Sequence, residues 1–296
     1  MKAPMLLKPI ETSAASLAIG KKKSSIASLQ LLILGFLAGA FIALAAQAST
    51  MGAFNLLADP GWYGLGRLVS GLIFASGLVF VILTGAELFT GNVLIASAWL
   101  CGQVSAGAMI RNAIFVYIGN FIGSIFVAWL LSLSGLWHGG ADMAGAMTIK
   151  IALGKVGLSF TEAIVLGILC NWLVCLAVWM SFGTTSTSGK VLCIYLPILM
   201  FIVSGFEHCV ANMYYIPAGL MALNDPAYVQ QVMAAWHIGE EALQQLTWQT
   251  FLINNLIPVT IGNMVGGIVF VGMALLYGHG KPSNELIEQV KEEVLK

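Results

Sequence analysis

Charge is what this sequence has least of. Only 9% of its 296 residues are Asp, Glu, Lys or Arg, where a soluble domain carries about a quarter. Thirteen Lys and Arg balance thirteen Asp and Glu, so there is no basic surplus to hold nucleic acid and no acidic solvating tail. Cysteine is also sparse. Cys101, Cys170, Cys175, Cys193 and Cys209 form no CxxC or CxxH pair, which argues against a disulfide scaffold. No P-loop, HxxxH or HExxH occurs, so neither a cofactor nor a metal is expected, and the chain is not expected to be an enzyme. Apolar residues fill the space: 59% of the chain is hydrophobic and the mean hydropathy is +0.91. Such a chain belongs in a bilayer rather than in water.

The spans follow from the gaps between charges, because a crossing helix needs about 20 residues without unpaired charge. The gaps give spans over about 27–46, 69–99, 113–133, 164–182, 191–223 and 251–277. The second is interrupted by Glu87 and the fifth by Glu207 and His208. Both are too long for one simple helix and too short for two crossings, so each reads as a single span broken near its middle. Six spans put both termini on one side. Lys2, Lys8, Lys21, Lys22, Lys23, Arg111, Lys190, Lys281, Lys291 and Lys296 fall on that side, against Arg67, Lys150 and Lys155 on the other. This bias places the termini in the cytoplasm. Without a small-residue cleavage motif behind a short apolar core, the first span is expected to be retained. The chain then divides into a cytoplasmic segment 1–24, a membrane domain 25–280 and a cytoplasmic tail 281–296. In the tail, Leu286, Ile287, Val290 and Val294 lie at helical spacing, so either a short amphipathic helix or a solvated segment is expected.

The sequence repeats itself. Gly85-Ala-Glu87-Leu-Phe-Thr-Gly-Asn92 and Gly205-Phe-Glu207-His-Cys-Val-Ala-Asn212 share a Gly, then Glu-x4-Asn. Gly119-Asn120-Phe-Ile-Gly123 and Gly262-Asn263-Met-Val-Gly266 share Gly-Asn-x2-Gly. Each half therefore has a plain span, a broken span and a Gly-Asn span. Three is odd, so the second half must enter from the opposite side, an inverted repeat whose halves meet at a substrate path. The fold class is thus all-α integral membrane, with six spans in two inverted three-span repeats and spans 2 and 5 broken.

The repeat is imperfect where chemistry is expected. Laying Glu87 on Glu207 puts Leu88 on His208 and Thr90 on Val210. His208 is the sharpest candidate, since an ionisable group at membrane depth is costly and imidazole exchanges protons near neutral pH. The alternative is a neutral His bridging two half-helices. Glu87 and Glu207, with Asn92 and Asn212, read as architecture: a carboxylate at a break can accept the freed backbone N–H groups. Lys155 is either an anion attractor at a pore mouth or a snorkelling interface lysine. Asn171, Asn120, Asn254 and Asn263 either line a path or join helices. A membrane enzyme with a metal site is the rival of another class. It is disfavoured because neighbours on a helix point apart and His138, His237 and His279 sit in or near loops.

These stretches resemble the formate/nitrite transporter family. The similarity rests on Gly85 to Asn92, on Cys170-Asn-Trp-Leu-Val-Cys-Leu-Ala-Val-Trp-Met180, on Ser204 to Met213 and on Asn255-Leu-Ile-Pro-Val-Thr-Ile-Gly-Asn263. It covers about residues 25–280. The resemblance implies an aquaporin-like protomer of two inverted halves, a homopentamer with a pore through every protomer, and a place as a multi-pass protein in a bacterial or archaeal plasma (inner) membrane. It implies Thr90 in the loop of the first break and His208 at the central site. Leu78, Leu88 and Val174 would form the cytoplasmic constriction, and Phe74 and Phe201 the periplasmic one. Lys155 would be the vestibule lysine, with Asn171 and Asn263 as polar groups near the path. The partners implied are a small anion, protons and membrane lipid. Formate is the expected substrate, with nitrite, hydrosulfide or another small monocarboxylate as alternatives. The first 24 residues and 225–249 match nothing specific.

Overall fold

The computed structural model describes residues 6–294. Lys2 and Lys296, counted above, lie outside them, and so does the side chain of Val294. Among the described residues the regular structure is helical, apart from one isolated bridge between Leu6 and Thr184. The helices are α1 (Pro9–Ser24), α2 (Ser28–Ala58), α3 (Tyr63–Thr84), α4 (Phe89–Asn92), α5 (Ile95–Leu100), α6 (Ala106–Leu133), α7 (Met143–Val156), α8 (Phe160–Phe182), α9 (Thr187–Ser204), α10 (Cys209–Ala222), α11 (Pro226–Trp236) and α12 (Glu240–Leu243). A helix of 31 residues, α13 (Trp248–Gly278), and the tail helix α14 (Asn284–Val294) complete the chain.

Six of these helices, α2, α3, α6, α8, α9 and α13, are long and apolar enough to cross a membrane. Their outer faces carry exposed Leu29, Ile33, Leu44, Ile114, Trp129, Leu196 and Met200, an apolar surface suited to lipid. Their inner faces are lined by small residues. A Cβ on Gly123 would run into the carbonyl oxygen of Phe36 on α2, and one on Gly262 into that of Ile164 on α8. Without a hydrophobic force between helices in lipid, such backbone approach is what allows α2 to pack on α6 and α8 on α13.

Helix bounds depart from the charge gaps in an instructive way. The first span runs to Ala58 and not to 46, and buried polar atoms in the added stretch find distant partners: Gln47 Oε1 accepts from Trp137 and Tyr214, and Ser49 donates to the Ser70 carbonyl. Helix α3 begins at Tyr63 and not at 69, so Arg67 lies inside it. Its guanidinium donates to the carbonyls of Ile202 and Val203 at the end of α9. Lys150 and Lys155 lie in α7, and Lys21 to Lys23 in α1. The regions that matched nothing are also built: α1 packs against α5 and α14 through Leu17, Ala18, Ile95, Ile287 and Val290, and α11 covers α7 with Tyr228 and Val232. The tail is a helix with Ile287 and Val290 buried.

Both breaks start at a glycine. Gly85 ends α3 at φ 75° and Gly205 ends α9 at φ 83°, in the left-handed region that a Cβ disfavours. In each, three residues outside regular structure follow, the last of them extended (Leu88 or His208), before the next helix starts at Phe89 or Cys209. Helix α13 widens into π-helical turns at Phe251–Leu256 and Ile268–Met273. The first of these lies just before Pro258, whose ring cannot supply an N–H.

Candidate functional site

The two breaks are held by closely matching sets of hydrogen bonds, except that Lys23 Nζ also donates to Asn92 Oδ1 at 2.9 Å, whereas Asn212 Oδ1 has no partner among the described residues. At the first, Glu87 pairs with Lys23 Nζ at 2.8 Å and accepts from Asn92 Nδ2 at 2.6 Å. Asn92 donates also to Asn112 Oδ1 at 2.9 Å, and Asn112 donates to the Lys23 carbonyl at 3.0 Å. At the second, Glu207 pairs with Lys155 Nζ at 2.8 Å and accepts from Asn212 at 2.6 Å. Asn212 donates to Asn255 at 2.7 Å, and Asn255 to the Lys155 carbonyl at 2.9 Å.

The freed backbone groups are not satisfied by the carboxylates, as the sequence suggested, but by asparagine amides. Asn120 Nδ2 donates to the carbonyls of Gly35 (2.8 Å) and Glu87 (2.9 Å), while its Oδ1 accepts from Phe89 N–H (2.9 Å). Asn263 does the same with Gly167 (2.8 Å), Glu207 (2.9 Å) and Cys209 N–H (2.9 Å). An amide can give and take at once, and a break exposes both a C=O and an N–H. An ionised carboxylate only accepts, so Glu87 and Glu207 serve their lysines instead. Asn120 and Asn263 are therefore brackets for the breaks.

Asn171 breaks the symmetry. It is fully buried, and its Nδ2 donates to the carbonyls of Asn263 (2.6 Å) and Thr90 (3.1 Å). The thiol of Cys175 also donates to the Thr90 carbonyl, at 3.1 Å. Thr90, on the first turn of α4, is thus positioned from α8.

Thr90 Oγ1 and His208 Nε2 lie 2.8 Å apart. His208 caps α10: its Nδ1 accepts the N–H of Ala211 at 3.0 Å. Nδ1 therefore presents a lone pair, and the neutral ring carries its proton on Nε2, which donates to Thr90. The hydroxyl proton of Thr90 is then left to serve another acceptor. Around this pair the walls are apolar. The Phe201 ring is centred 6.0 Å from the imidazole and packs edge-on against Phe74 at 5.6 Å. Phe74, Leu78, Leu88, Thr90, Phe201 and His208 are each 3% exposed or less, so the pair is sealed from solvent.

Cavities approach this seal from two directions. One of about 110 Å³ is lined by Lys155, Glu207, Arg67, Tyr215 and Gly205. Lys155 lies over the Tyr215 ring at 5.3 Å as well as beside Glu207, so its charge faces the cavity already paired. The other, about 370 Å³, lies beside α1 with Lys22, Lys23, Glu87 and Lys190 in its wall. It shares Lys23, Val81, Ile82, Ala86 and Phe182 with a narrow pocket that ends on Leu78, Leu88 and Val178. Val178, and not Val174, lines that pocket; Val174 is one turn away and buried. Lys23, Asn112, Asn255 and Arg67 were missed from sequence. One signal was available for two of them: Asn112 precedes Asn120 by eight residues, as Asn255 precedes Asn263.

Crossing helices that turn lipid-facing sides outward, and that bury ion pairs and a polar pair between two cavities, define a polytopic α-helical membrane protein of the channel and transporter class. Residues 11–277 match the family described as formate/nitrite transporter. The chain is 39% identical over 276 residues to the uncharacterized transporter YrhG of Bacillus subtilis, covering 93% of this chain and 94% of that protein. It is 39% identical over 247 residues to the formate channel FocA of Haemophilus influenzae, covering 82% and 84%. A solved pentameric formate channel with formate bound superposes with a TM-score of 0.71 at 36% identity, covering 83% of this chain and 95% of that one. The chain belongs to the formate/nitrite transporter family.

Proposed function

We propose that the protein is a channel for small monovalent weak-acid anions, with formate as its substrate, in a bacterial or archaeal inner membrane. The observation that carries this reading is the Thr90–His208 pair, a polar spot sealed inside apolar walls between two lysine-lined cavities. The names of its relatives supply formate. The protein works without ATP, metal or other cofactor and catalyses no covalent change.

A bare anion entering an apolar constriction faces a desolvation cost on the order of tens of kcal/mol in the Born limit. The remedy is neutralisation. Lysines draw formate into a cavity, and a proton converts it to formic acid before it passes Leu88 and Phe201. The free hydroxyl proton of Thr90 offers the acid a hydrogen bond at the centre. If the proton passes through His208, Nε2 gives its proton to formate as Nδ1 takes another. The Ala211 N–H bond must open for that exchange. The same reading takes the two halves as inverted, residues 25–280 as the channel domain, both termini as cytoplasmic and the assembly as a homopentamer with a pore in each protomer.

The test is formate uptake by the full-length protein in liposomes. A neutral acid delivers a proton, so uptake acidifies the lumen, and it continues after chelation. His208→Asn keeps a capping oxygen for Ala211 N–H but does not titrate. Uptake in that variant is expected to lose its acidification, with any residual flux electrogenic. Full proton-coupled uptake from pH 5 to 8 in His208→Asn would remove the histidine from the mechanism. The same assay with nitrite, acetate, lactate and hydrosulfide ranks the substrates.

A further inference from the structure

The paired lysines, Lys23 and Lys155, leave two ammonium groups without a task. Lys22 on α1 and Lys190 on α9 line the cavity of about 370 Å³ beside α1. Glu87 is the one carboxylate in that wall, and it is taken by Lys23 at 2.8 Å. Among the described residues, neither Lys22 nor Lys190 has a carboxylate within 4.0 Å of its ammonium. Lys190 is half-buried, so it has given up part of its hydration with no counter-charge in return.

The opposite cavity makes the contrast. Its additional cation, Arg67, also reaches over from the other half of the molecule, but its guanidinium is engaged by the carbonyls of Ile202 and Val203. Arg67 therefore straps the end of α9, whereas the ammonium of Lys190, on α9 near the end of α3, has no ion-pair or hydrogen-bond partner among the described residues. Three ammonium groups against one carboxylate line the α1-side cavity, and its floor opens toward the pocket that ends on Leu78 and Leu88.

We propose that Lys22 and Lys190 form a binding site for small carboxylates and oxyanions of the formate type, held ionised and hydrated before they reach the constriction. This deepens the transport reading and rests on it for the identity of the anion. It assigns capture on the α1 side to two lysines that the breaks do not use. The two mouths then differ, with free capture charge on the α1 side alone.

The binding test needs no transport. Full-length protein in detergent is acetylated with an uncharged acylating ester, and the rate at each lysine is read by mass spectrometry. Formate at about twice its dissociation constant is expected to slow Lys190 about threefold by occupancy. Lys281, exposed beyond the membrane helices, is expected not to respond, and gluconate at the same ionic strength is expected to protect neither. Protection by nitrite but not formate keeps the site and sinks the choice of formate. Equal labelling of Lys190 in formate, nitrite and gluconate overturns the site.

In liposomes, Lys22→Gln with Lys190→Gln is expected to raise the half-saturating formate concentration for entry from the α1 side about fivefold, with a flatter salt dependence. Lys190→Arg, which keeps the charge, is expected to hold the wild-type value. An unchanged half-saturation and salt slope in the double variant would overturn the proposal. Wild-type liposomes that pass no formate at all would sink the transport reading, while the labelling result stands by itself.

Discussion

At the scale of single residues, the central pair is defined by who gives and who takes. Ala211 N–H occupies His208 Nδ1, so Nε2 must be the donor toward Thr90, and the threonine is left with a proton to offer. Thr90→Val keeps the shape and removes the hydroxyl. It leaves the Nε2 proton buried without an acceptor, a cost of about 1–3 kcal/mol. Formate flux is expected to fall by about tenfold or more, read by stopped-flow light scattering, with Thr90→Ser close to wild type. Equal flux through Thr90→Val would show that substrate does not use the hydroxyl.

At the scale of elements, each break is held by one amide from the Gly-Asn helix of its own half. Asn120→Ala strands the carbonyl of Glu87 and the N–H of Phe89, while the Gly35 carbonyl keeps its bond inside α2. Asn263→Ala strands the equivalent groups of Glu207 and Cys209. With two buried groups unpaired, each variant is expected to lose about 2 kcal/mol or more, read as a lower melting temperature of the detergent-solubilised protein. The two losses are expected to match, since the bonds match. A large difference between them would mean that the halves do not share the load as their geometry indicates.

At the scale of the whole molecule, an element outside the six crossing helices completes each break. Lys23 closes α1 onto Glu87, and Lys155 closes α7 onto Glu207. Glu87 is only 3% exposed. Lys23→Met therefore leaves a buried carboxylate uncompensated, at about 3–5 kcal/mol. Adding Glu87→Gln removes the charge and is expected to restore most of the lost thermal stability, measured by the same melts. Failure of the double variant to recover would mean that Lys23 acts through its alkyl packing and not through the pair. The N-terminal helix is by this account part of the membrane domain's energetics, and removing α1 is expected to weaken the first break while leaving the second intact.

The sequence by itself settled what depends on short stretches of chain. Gaps between charges located six apolar helices, because lipid rejects unpaired charge wherever it falls. Gly85 and Gly205, each followed by Glu-x4-Asn, located the ends of α3 and α9, because a left-handed helix end favours glycine. The same gaps misplaced helix ends where a polar group finds a distant partner: Arg67 sits inside α3 because carbonyls of α9, more than a hundred residues on, receive it. The union of Lys23 with Glu87, the split of duties between Asn120 and Glu87, the packing of α1 and the meeting of His208 with Thr90 were likewise decided only by tertiary structure. Charge, amide and imidazole are all ambivalent in isolation. Which bond each one makes depends on the groups that folding brings within 3 Å, and spacing along the chain does not encode that distance.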